Sequence, residues 1–135
     1  MGNIRYNQSG VIPYQVENGD IQVLLITSAS GKRWVIPKGI IEPAMSPAAS
    51  AGQEAWEEAG LIGDVIEPAV GRYTYFKWGG ECNVEVFLMS VSEILDSWPE
   101  AEARTREWVS LKEATERVRE KALKQMLKAL PELIG

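Results

Sequence analysis

The stretch SPAASAGQEAWEEAG, residues 46–60, predicts one complete helix. Ser46 followed by Pro47 is typical of a helix N-cap with proline at the first helical position. Gly60 is the residue type that most often ends a helix at its carboxyl end. The stretch therefore predicts a helix from Pro47 to about Ala59.

Three carboxylates of this helix, Glu54, Glu57 and Glu58, are spaced i, i+3 and i+4. At about 100° per residue they share one face, where like charges destabilise a helix by a few tenths of a kcal/mol per pair. Small or apolar residues fill the other side, which we expect to pack against a sheet with the tryptophan filling space: Ala48, Ala49, Gly52, Ala55, Trp56 and Ala59.

No lysine or arginine occurs from Gly39 to Gly71, so no sequence-local cation offsets this repulsion. Three explanations stay open. The face is solvated, or distant basic residues reach it in the fold, or it binds a divalent cation. Oxygen-only ligands suit a hard ion such as Mg²⁺ or Mn²⁺. The same span adds further carboxylates, among them Glu42.

The flanking sequence is rich in strand patterns. Two apolar runs, 10–16 and 21–27, enclose Asn18-Gly19, a strong hairpin signal. Residues 112–130 carry a helical apolar stripe. These patterns predict an α/β protein with a mixed sheet and helices packed on its faces. The other predicted elements are strands at 33–37, 65–76 (interrupted by Pro68 and Gly71), 82–91 and 106–111, loops or turns at 39–45 and 77–81, and a short helix and loop at 92–105.

Composition limits the chemistry. The 135 residues suffice for a single domain, 1–135, and carry a formal charge of −5, which disfavours a stable nucleic-acid partner. The chain has no histidine and one cysteine, Cys82, expected as a buried strand thiol. Acid–base work therefore falls to carboxylates, lysine, tyrosine or a metal-bound water. No apolar run approaches a membrane span and no signal-peptide pattern begins the chain, so we expect a cytoplasmic protein.

The segment WVIPKGIIEPAMSPAASAGQEAWEEAGL, residues 34–61, resembles the signature of the Nudix hydrolases, G-x5-E-x7-R-E-U-x-E-E-x-G-U, where U is a bulky aliphatic residue. The first glycine matches, and so does the tail at the right spacing: Gly39, Glu54, Glu57, Glu58, Gly60 and Leu61. Met45, Gln53 and Ala55 depart from the pattern, standing where glutamate, arginine and an aliphatic residue are expected. These departures bear on the rate and the number of bound ions, and Glu42, three residues before Met45, is a candidate to replace part of the missing charge.

The resemblance implies a Nudix fold, a mixed sheet sandwiched between helices (α/β/α). It also implies that the protein hydrolyses a diphosphate linked to another group, using Mg²⁺ or Mn²⁺. The positions that match the family's catalytic and metal-binding residues are Glu54, Glu57 and Glu58, with Gly39 offering its carbonyl to the ion. The carboxylate that activates water varies in this family, and Glu81 and Glu85 are the candidates here.

The segment SEILDSWPEAEARTREWVSLKEA, residues 92–114, resembles the diphosphoinositol polyphosphate and diadenosine polyphosphate phosphohydrolases within that family. Arg33 and Lys38 flank the strand that leads into the signature loop and are the better phosphate-binding candidates. Seven scattered cations are few for a highly phosphorylated inositol, which favours a nucleoside polyphosphate. Trp78, in a glycine-containing turn, is placed to stack on a base. The predicted substrate-binding residues are Arg33, Lys38, Arg72, Lys77 and Arg106, with Arg5 and Arg104 as weaker candidates.

The rival interpretation is a sensor or interaction module that binds a nucleotide with little turnover, and Met45 and Gln53 keep it open. In either case we expect a small polyphosphate as partner and no membrane. A homodimer is compatible with the sequence.

Overall fold

The computed structural model describes residues 4–135, which form one seven-stranded sheet with helices on both faces. The predicted α/β class with a mixed sheet between helices is confirmed. The strands are β1 (Arg5–Glu17), β2 (Asp20–Thr27), β3 (Trp34–Val35), β4 (Lys38–Ile40), β5 (Leu61–Lys77), β6 (Gly80–Ile94) and β7 (Arg106–Ser110), and the helices are α1 (Pro47–Ala59), α2 (Leu111–Arg117), α3 (Lys121–Lys128) and α4 (Leu130–Ile134).

The sheet has the order β3-β2-β1-β6-β5, with β4 also paired to β1 and β7 to β2. The β1–β6 pair is parallel and the other pairs are antiparallel. Asn18 and Gly19 have φ angles of 53° and 82°, the left-handed values that a tight hairpin turn requires, so the predicted β1–β2 hairpin is confirmed. Along β1, Val11 and Ile12 face opposite sides of the sheet and enter two separate cores.

One core lies under α1 and is built from small side chains. The side of α1 that enters this core consists of Ala48, Ala51, Ala55 and Ala59. Phe87 and Met89 of β6 belong to the same core. Trp56 was predicted to fill this interface, and that prediction is wrong because its side chain is 41% exposed. The 3–4–4 spacing of the alanines sets the buried stripe, and only side chains of that size let the helix lie close to the sheet.

The second core lies under α2, α3 and α4. The predicted apolar stripe of residues 112–130 is largely buried, but the segment is not one helix, since it leaves helical geometry at Val118 and restarts at Lys121. The short helix predicted within 92–105 is also absent, and the segment is a series of turns after β6. Within residues 4–135 no helix is long and apolar enough to cross a membrane. Cys82 is fully buried in β6, as expected.

Candidate active site

Helix α1 begins and ends where the sequence predicts. The Ser46 hydroxyl accepts a hydrogen bond from the Ala49 amide at 3.1 Å, which satisfies one of the free donors of the first turn. At the other end Gly60 adopts φ 67° and donates to the Trp56 carbonyl at 3.0 Å. These caps fix the ends of the helix, and through them the direction in which its three carboxylates project.

The segment 95–106, which we call the capping loop, covers the carboxyl end of α1. Four successive carbonyls, those of residues 57–60, each accept a hydrogen bond from this loop. The loop therefore supplies the capping that a helix C-terminus needs. The donors are the Glu100 amide, the Trp98 indole, the Arg106 guanidinium and the Leu95 amide, at 2.8–3.1 Å.

A cleft of about 350 Å³ opens where α1, β4 and the β5–β6 hairpin meet. Two of the three signature carboxylates, Glu54 and Glu58, line it, and so does Glu42. Polar and charged groups therefore dominate one wall. The remaining lining residues are Gln8, Ser28, Ala29, Val35, Lys38, Gly39, Ile40, Tyr75, Lys77, Trp78 and Arg104.

Glu54 lies directly against Gly39 of β4. A β-carbon on residue 39 would overlap the Glu54 carboxylate, so the glycine makes the room that this side chain occupies. Burial, reinforced by the negative charges of Glu58 and Glu57, raises the pKa of Glu54 to about 7. The cleft therefore holds a carboxylate whose negative charge is poorly compensated.

Both oxygens of Glu58 have donors. Oε1 accepts from the backbone amide of Lys38 at 3.1 Å, and Oε2 lies 3.3 Å from Nη2 of Arg104. Burial nevertheless raises the pKa of Glu58 to about 7, because the loss of hydration outweighs the attraction of Arg104. The helical pattern places Glu58 on the acidic face and leaves open whether that face is solvated, and the structure shows Glu58 only 8% exposed.

Glu57 is engaged elsewhere, accepting a hydrogen bond from the Gln53 side-chain amide at 2.9 Å. Gln53 thus contacts one of the signature carboxylates but contributes no charge. In the side-chain positions seen here, no group of three glutamate, aspartate, cysteine or histidine side chains within residues 4–135 is close enough together to hold a metal ion. Binding through all three glutamates would require Glu57 or Glu58 to turn away from its present partner.

The predicted basic residues divide into two groups. Lys38 and Lys77 line the cleft with the carboxylates. Lys38 stands over the Tyr75 ring, 4.9 Å from its centroid, and burial lowers its pKa, an effect that the nearby Glu58 partly offsets. A desolvated ammonium group in a cleft is poised to attract an anion.

Among the other candidates, Arg104 lines the cleft, Arg5 does not, and Arg33, Arg72 and Arg106 have protein partners away from the cleft lining. Arg33 pairs with Glu120 at 2.7 Å, and Arg72 lies 3.8 Å from Glu85 on the exposed surface. Arg106 donates to the Ala59 and Leu95 carbonyls and stacks on the Trp98 ring, 3.9 Å from its centroid. These contacts give Arg106 a structural function in the capping loop. Neither water-activating candidate, Glu81 or Glu85, lies among the cleft-lining residues.

Trp78 stands at the rim of the cleft with 53% of its surface exposed. Its φ is 55°, a left-handed conformation that a bulky side chain rarely adopts. Tyr6 donates its hydroxyl proton to the Trp78 carbonyl at 3.1 Å and packs edge-on against the indole. Lys77 lies over the ring at 4.8 Å from its centroid. The ring is thus fixed in place beside a cation.

Arg104, Gln8 and Tyr75 are the cleft residues that sequence analysis missed or ranked low. A distant cation was one of the three explanations that the sequence left open for the absence of lysine and arginine from 39 to 71, and Arg104 is such a cation. Nothing in the sequence marks Gln8 and Tyr75, whose side chains share a 2.8 Å hydrogen bond across the sheet.

The cleft fits a hard divalent ion by two observations. Its potential ligands are carboxylate and carbonyl oxygens, and the space that Gly39 leaves is filled by the Glu54 carboxylate. In addition, burial raises the pKa values of Glu54 and Glu58, and the protein's own cations compensate these charges only in part. An ion held here would compensate them.

Solved structures share this fold at low sequence identity. The Ap4A hydrolase of C. elegans superposes with a TM-score of 0.83 at 20% identity, covering 96% of this chain and 97% of that one. A Nudix-family hydrolase from Clostridium perfringens gives 0.77 at 19% identity, covering 96% and 99%. Fold and site together define a class of proteins: an α/β/α sandwich whose cleft, beside α1, is lined by both carboxylates and cations.

The sequence profile of the NUDIX domain matches residues 7–133, and the chain belongs to the Nudix family. Nudix hydrolase 16, mitochondrial, of Arabidopsis thaliana is 34% identical over 137 residues, covering 88% of this chain and 76% of that protein. Diphosphoinositol polyphosphate phosphohydrolase 3-beta of Bos taurus is 29% identical over 103 residues, covering 75% and 62%. The chain is therefore an enzyme of the Nudix pyrophosphohydrolase class, as the sequence predicts.

Proposed function

We propose that the chain, acting as a single domain, carries out the metal-dependent hydrolysis of a pyrophosphate bond in a nucleoside polyphosphate, such as a diadenosine polyphosphate. One observation carries the proposal: a single cleft brings together Glu54 and Glu58, Lys38 and Lys77, and an exposed Trp78. Carboxylates for a divalent ion, cations for phosphates and an aromatic ring for a base are the three groups that such a substrate needs.

Mg²⁺ or Mn²⁺ would be held by Glu54, Glu57, Glu58 and the Gly39 carbonyl. Bound there, the ion would supply Lewis-acid chemistry, neutralising phosphate charge and lowering the pKa of water. Glu42 also lines the cleft. It would contribute the negative charge that the family pattern's glutamate supplies at the position occupied here by Met45. The protein's own residues orient the substrate and restrict the approach of water.

The number of cations in the cleft supports a nucleoside polyphosphate over a diphosphoinositol polyphosphate. Of the seven basic residues named from the sequence, Lys38, Lys77 and Arg104 line the cleft. Arg104 is already paired with Glu58, so two lysines are free of ion pairs among the described residues. Two or three cations suit a short polyphosphate chain. A substrate with phosphates all around a ring would need more.

The relatives are divided on substrate and location. One structural neighbour is called an Ap4A hydrolase, and one relative a diphosphoinositol polyphosphate phosphohydrolase. The Arabidopsis relative is called mitochondrial, so the cytoplasmic location of this chain stays a prediction, as does a homodimer.

The test is a substrate panel with Mg²⁺ or Mn²⁺, containing diadenosine polyphosphates, nucleoside triphosphates, ADP-ribose and a diphosphoinositol polyphosphate. We expect turnover of a diadenosine polyphosphate or another nucleotide, and its loss in Glu54→Gln and Glu57→Gln. Glu17→Gln, at the exposed end of the β1–β2 hairpin, is the matched control. Preference for the inositol substrate would contradict the assigned substrate class. Nucleotide binding without turnover across the panel would favour the sensor module instead.

A further inference from the structure

Arg104 is the one basic side chain within residues 4–135 that forms an ion pair with a carboxylate of α1. It lies in the capping loop, 46 positions after Glu58, and 12% of its side chain is exposed. Its Nη2 reaches Glu58 Oε2 at 3.3 Å. This contact occupies an oxygen of a glutamate to which the proposed function assigns a divalent ion.

The guanidinium is also anchored on two other sides. Nε donates to Glu100 at 3.0 Å, and Nη1 donates to the backbone carbonyl of Thr27 at 3.0 Å. The Thr27 and Thr105 backbones are hydrogen bonded next to it, which ties the loop to the end of β2. If Glu58 turned to another cation, these anchors would keep the guanidinium in the cleft wall. One nitrogen, Nη2, would then have lost its partner.

We propose that Arg104 is a phosphate-binding residue that is paired with Glu58 until a divalent ion binds. Arg104 competes with the ion for Glu58, and once the ion has displaced it, Arg104 donates from Nη2 to a substrate phosphate. This inference rests on the metal site of the proposed function. A guanidinium suits the second partner because it binds phosphate as readily as carboxylate. The exchange lets the cleft keep a compensating cation beside Glu58 before the ion arrives.

The exchange also couples the two ligands. Before the ion binds, the Arg104–Glu58 pair leaves the cleft with fewer free donors for phosphate. After it binds, the same arginine becomes available beside the ion. Ion and polyphosphate are then expected to bind cooperatively, since each favours the state in which Arg104 and Glu58 are apart.

The variant Arg104→Gln distinguishes phosphate binding by Arg104 from a merely structural function. The proposal predicts that this variant binds Mn²⁺ more tightly and a diphosphate more weakly. Mn²⁺ affinity without substrate, measured by electron paramagnetic resonance at about pH 8.5, should rise about fivefold because the competing cation is gone. Affinity for imidodiphosphate, a non-hydrolysable diphosphate, at saturating Mn²⁺ should fall severalfold. Arg117→Gln is the matched control, since it removes an arginine paired with Glu107 and Glu113 outside the cleft.

The outcomes separate the two proposals. Absence of Mn²⁺ binding by the wild-type protein would contradict the metal site and this inference with it. Binding by the wild type, with equal or weaker Mn²⁺ affinity in Arg104→Gln, would overturn only the competition with Glu58. Unchanged imidodiphosphate affinity would overturn the phosphate-binding function.

A measurement on the wild-type protein keeps the inference testable if Arg104→Gln does not fold. The arginine Nε–Hε signals are followed by nuclear magnetic resonance during a titration with Mg²⁺. We expect the Arg104 signal to shift more than that of Arg117. An Arg104 signal that stays in place while Mg²⁺ binds would overturn the exchange.

Discussion

At the scale of single residues, the close contact between Gly39 and the Glu54 carboxylate offers a test of the site. The backbone of Gly39 lies outside the left-handed region, so alanine can adopt its conformation, but the added methyl group would overlap the Glu54 carboxylate. The carboxylate is the flexible end of its side chain and can move away. We therefore expect Gly39→Ala to fold with a nearly unchanged thermal midpoint and to lose at least about tenfold in kcat/KM, as displaced supporting groups do in metal sites. Wild-type activity in this variant would show that the position of Glu54 is unimportant.

The raised pKa values of Glu54 and Glu58 predict how the metal-free protein responds to pH. Since both are about 7 against an ordinary 4.5, the folded state binds more protons than the unfolded state between those values. The stability that these groups contribute is present at acid pH and lost as pH rises through about 7. Glu54→Gln removes one of them. Its thermal midpoint relative to wild type, measured in chelator, should therefore be more favourable at about pH 8 than at about pH 5.

Trp78 is a large aromatic side chain that stays 53% exposed in the two-residue turn between β5 and β6, and the geometry of that turn accounts for its left-handed φ. If it stacks on a base, Trp78→Ala should raise KM about tenfold, because base stacking contributes about 1–3 kcal/mol. Trp78→Phe should keep most of the affinity. Trp56→Ala, which removes an exposed tryptophan of α1 outside the cleft lining, is the control. Equal KM values in Trp78→Ala and wild type would remove the base-binding function from this residue.

Local patterns account for what sequence analysis could identify at this scale. The Gly39, Glu54, Glu57 and Glu58 spacing is a contiguous motif, and so it can be recognised without the fold. Arg104 cannot be recognised in that way, because its pairing with Glu58 depends on how the capping loop returns to α1. The prediction for Trp56 was wrong for a related reason. A helical wheel gives the directions of side chains relative to one another, but it does not show which side of the helix packs against the sheet.

At the scale of elements, the capping loop and α1 act as one unit. Arg106 joins them by donating to the Ala59 and Leu95 carbonyls at 2.8 and 2.6 Å. Arg106→Gln should lower the free energy of unfolding by about 1–3 kcal/mol, since it leaves partly buried carbonyls unpaired. Arg119→Gln, an exposed surface change, is the control, and urea denaturation is the measurement.

The same variant tests the substrate-binding function predicted for Arg106 from the sequence. A structural residue should change stability and leave KM nearly constant at temperatures where the variant is folded. A severalfold rise in KM with unchanged stability would restore the substrate-binding interpretation.

Elements with strong end signals were predictable, and those defined by tertiary contacts were not. Ser46, Pro47 and Gly60 delimit α1, and Asn18-Gly19 defines the first hairpin. The turns at 95–105 carry a helix-like composition, yet two of their backbone amides, those of Leu95 and Glu100, donate to carbonyls at the end of α1. The break after α2 has no glycine or proline. There Lys124 donates to the Thr115 carbonyl at 2.6 Å, and the turn lets Val118 enter the core.

At the scale of the whole molecule, the cleft exists because distant segments meet. Gln8 comes from β1, Lys38 from β4, Tyr75 from β5 and Arg104 from the capping loop. The parallel pairing of β1 with β6, which are more than sixty residues apart, sets this arrangement. No local pattern encodes that pairing, so the fold class could be predicted from the sequence while the cleft's full set of residues could not.

The central claim is that the carboxylates of this cleft bind a divalent ion, and a Mn²⁺ titration followed by electron paramagnetic resonance tests it most directly. Wild-type protein should bind Mn²⁺, and Glu54→Gln should bind it at least about tenfold more weakly while retaining its circular dichroism spectrum. Glu17→Gln should match the wild type. Equal Mn²⁺ affinity in wild type and Glu54→Gln would contradict the account.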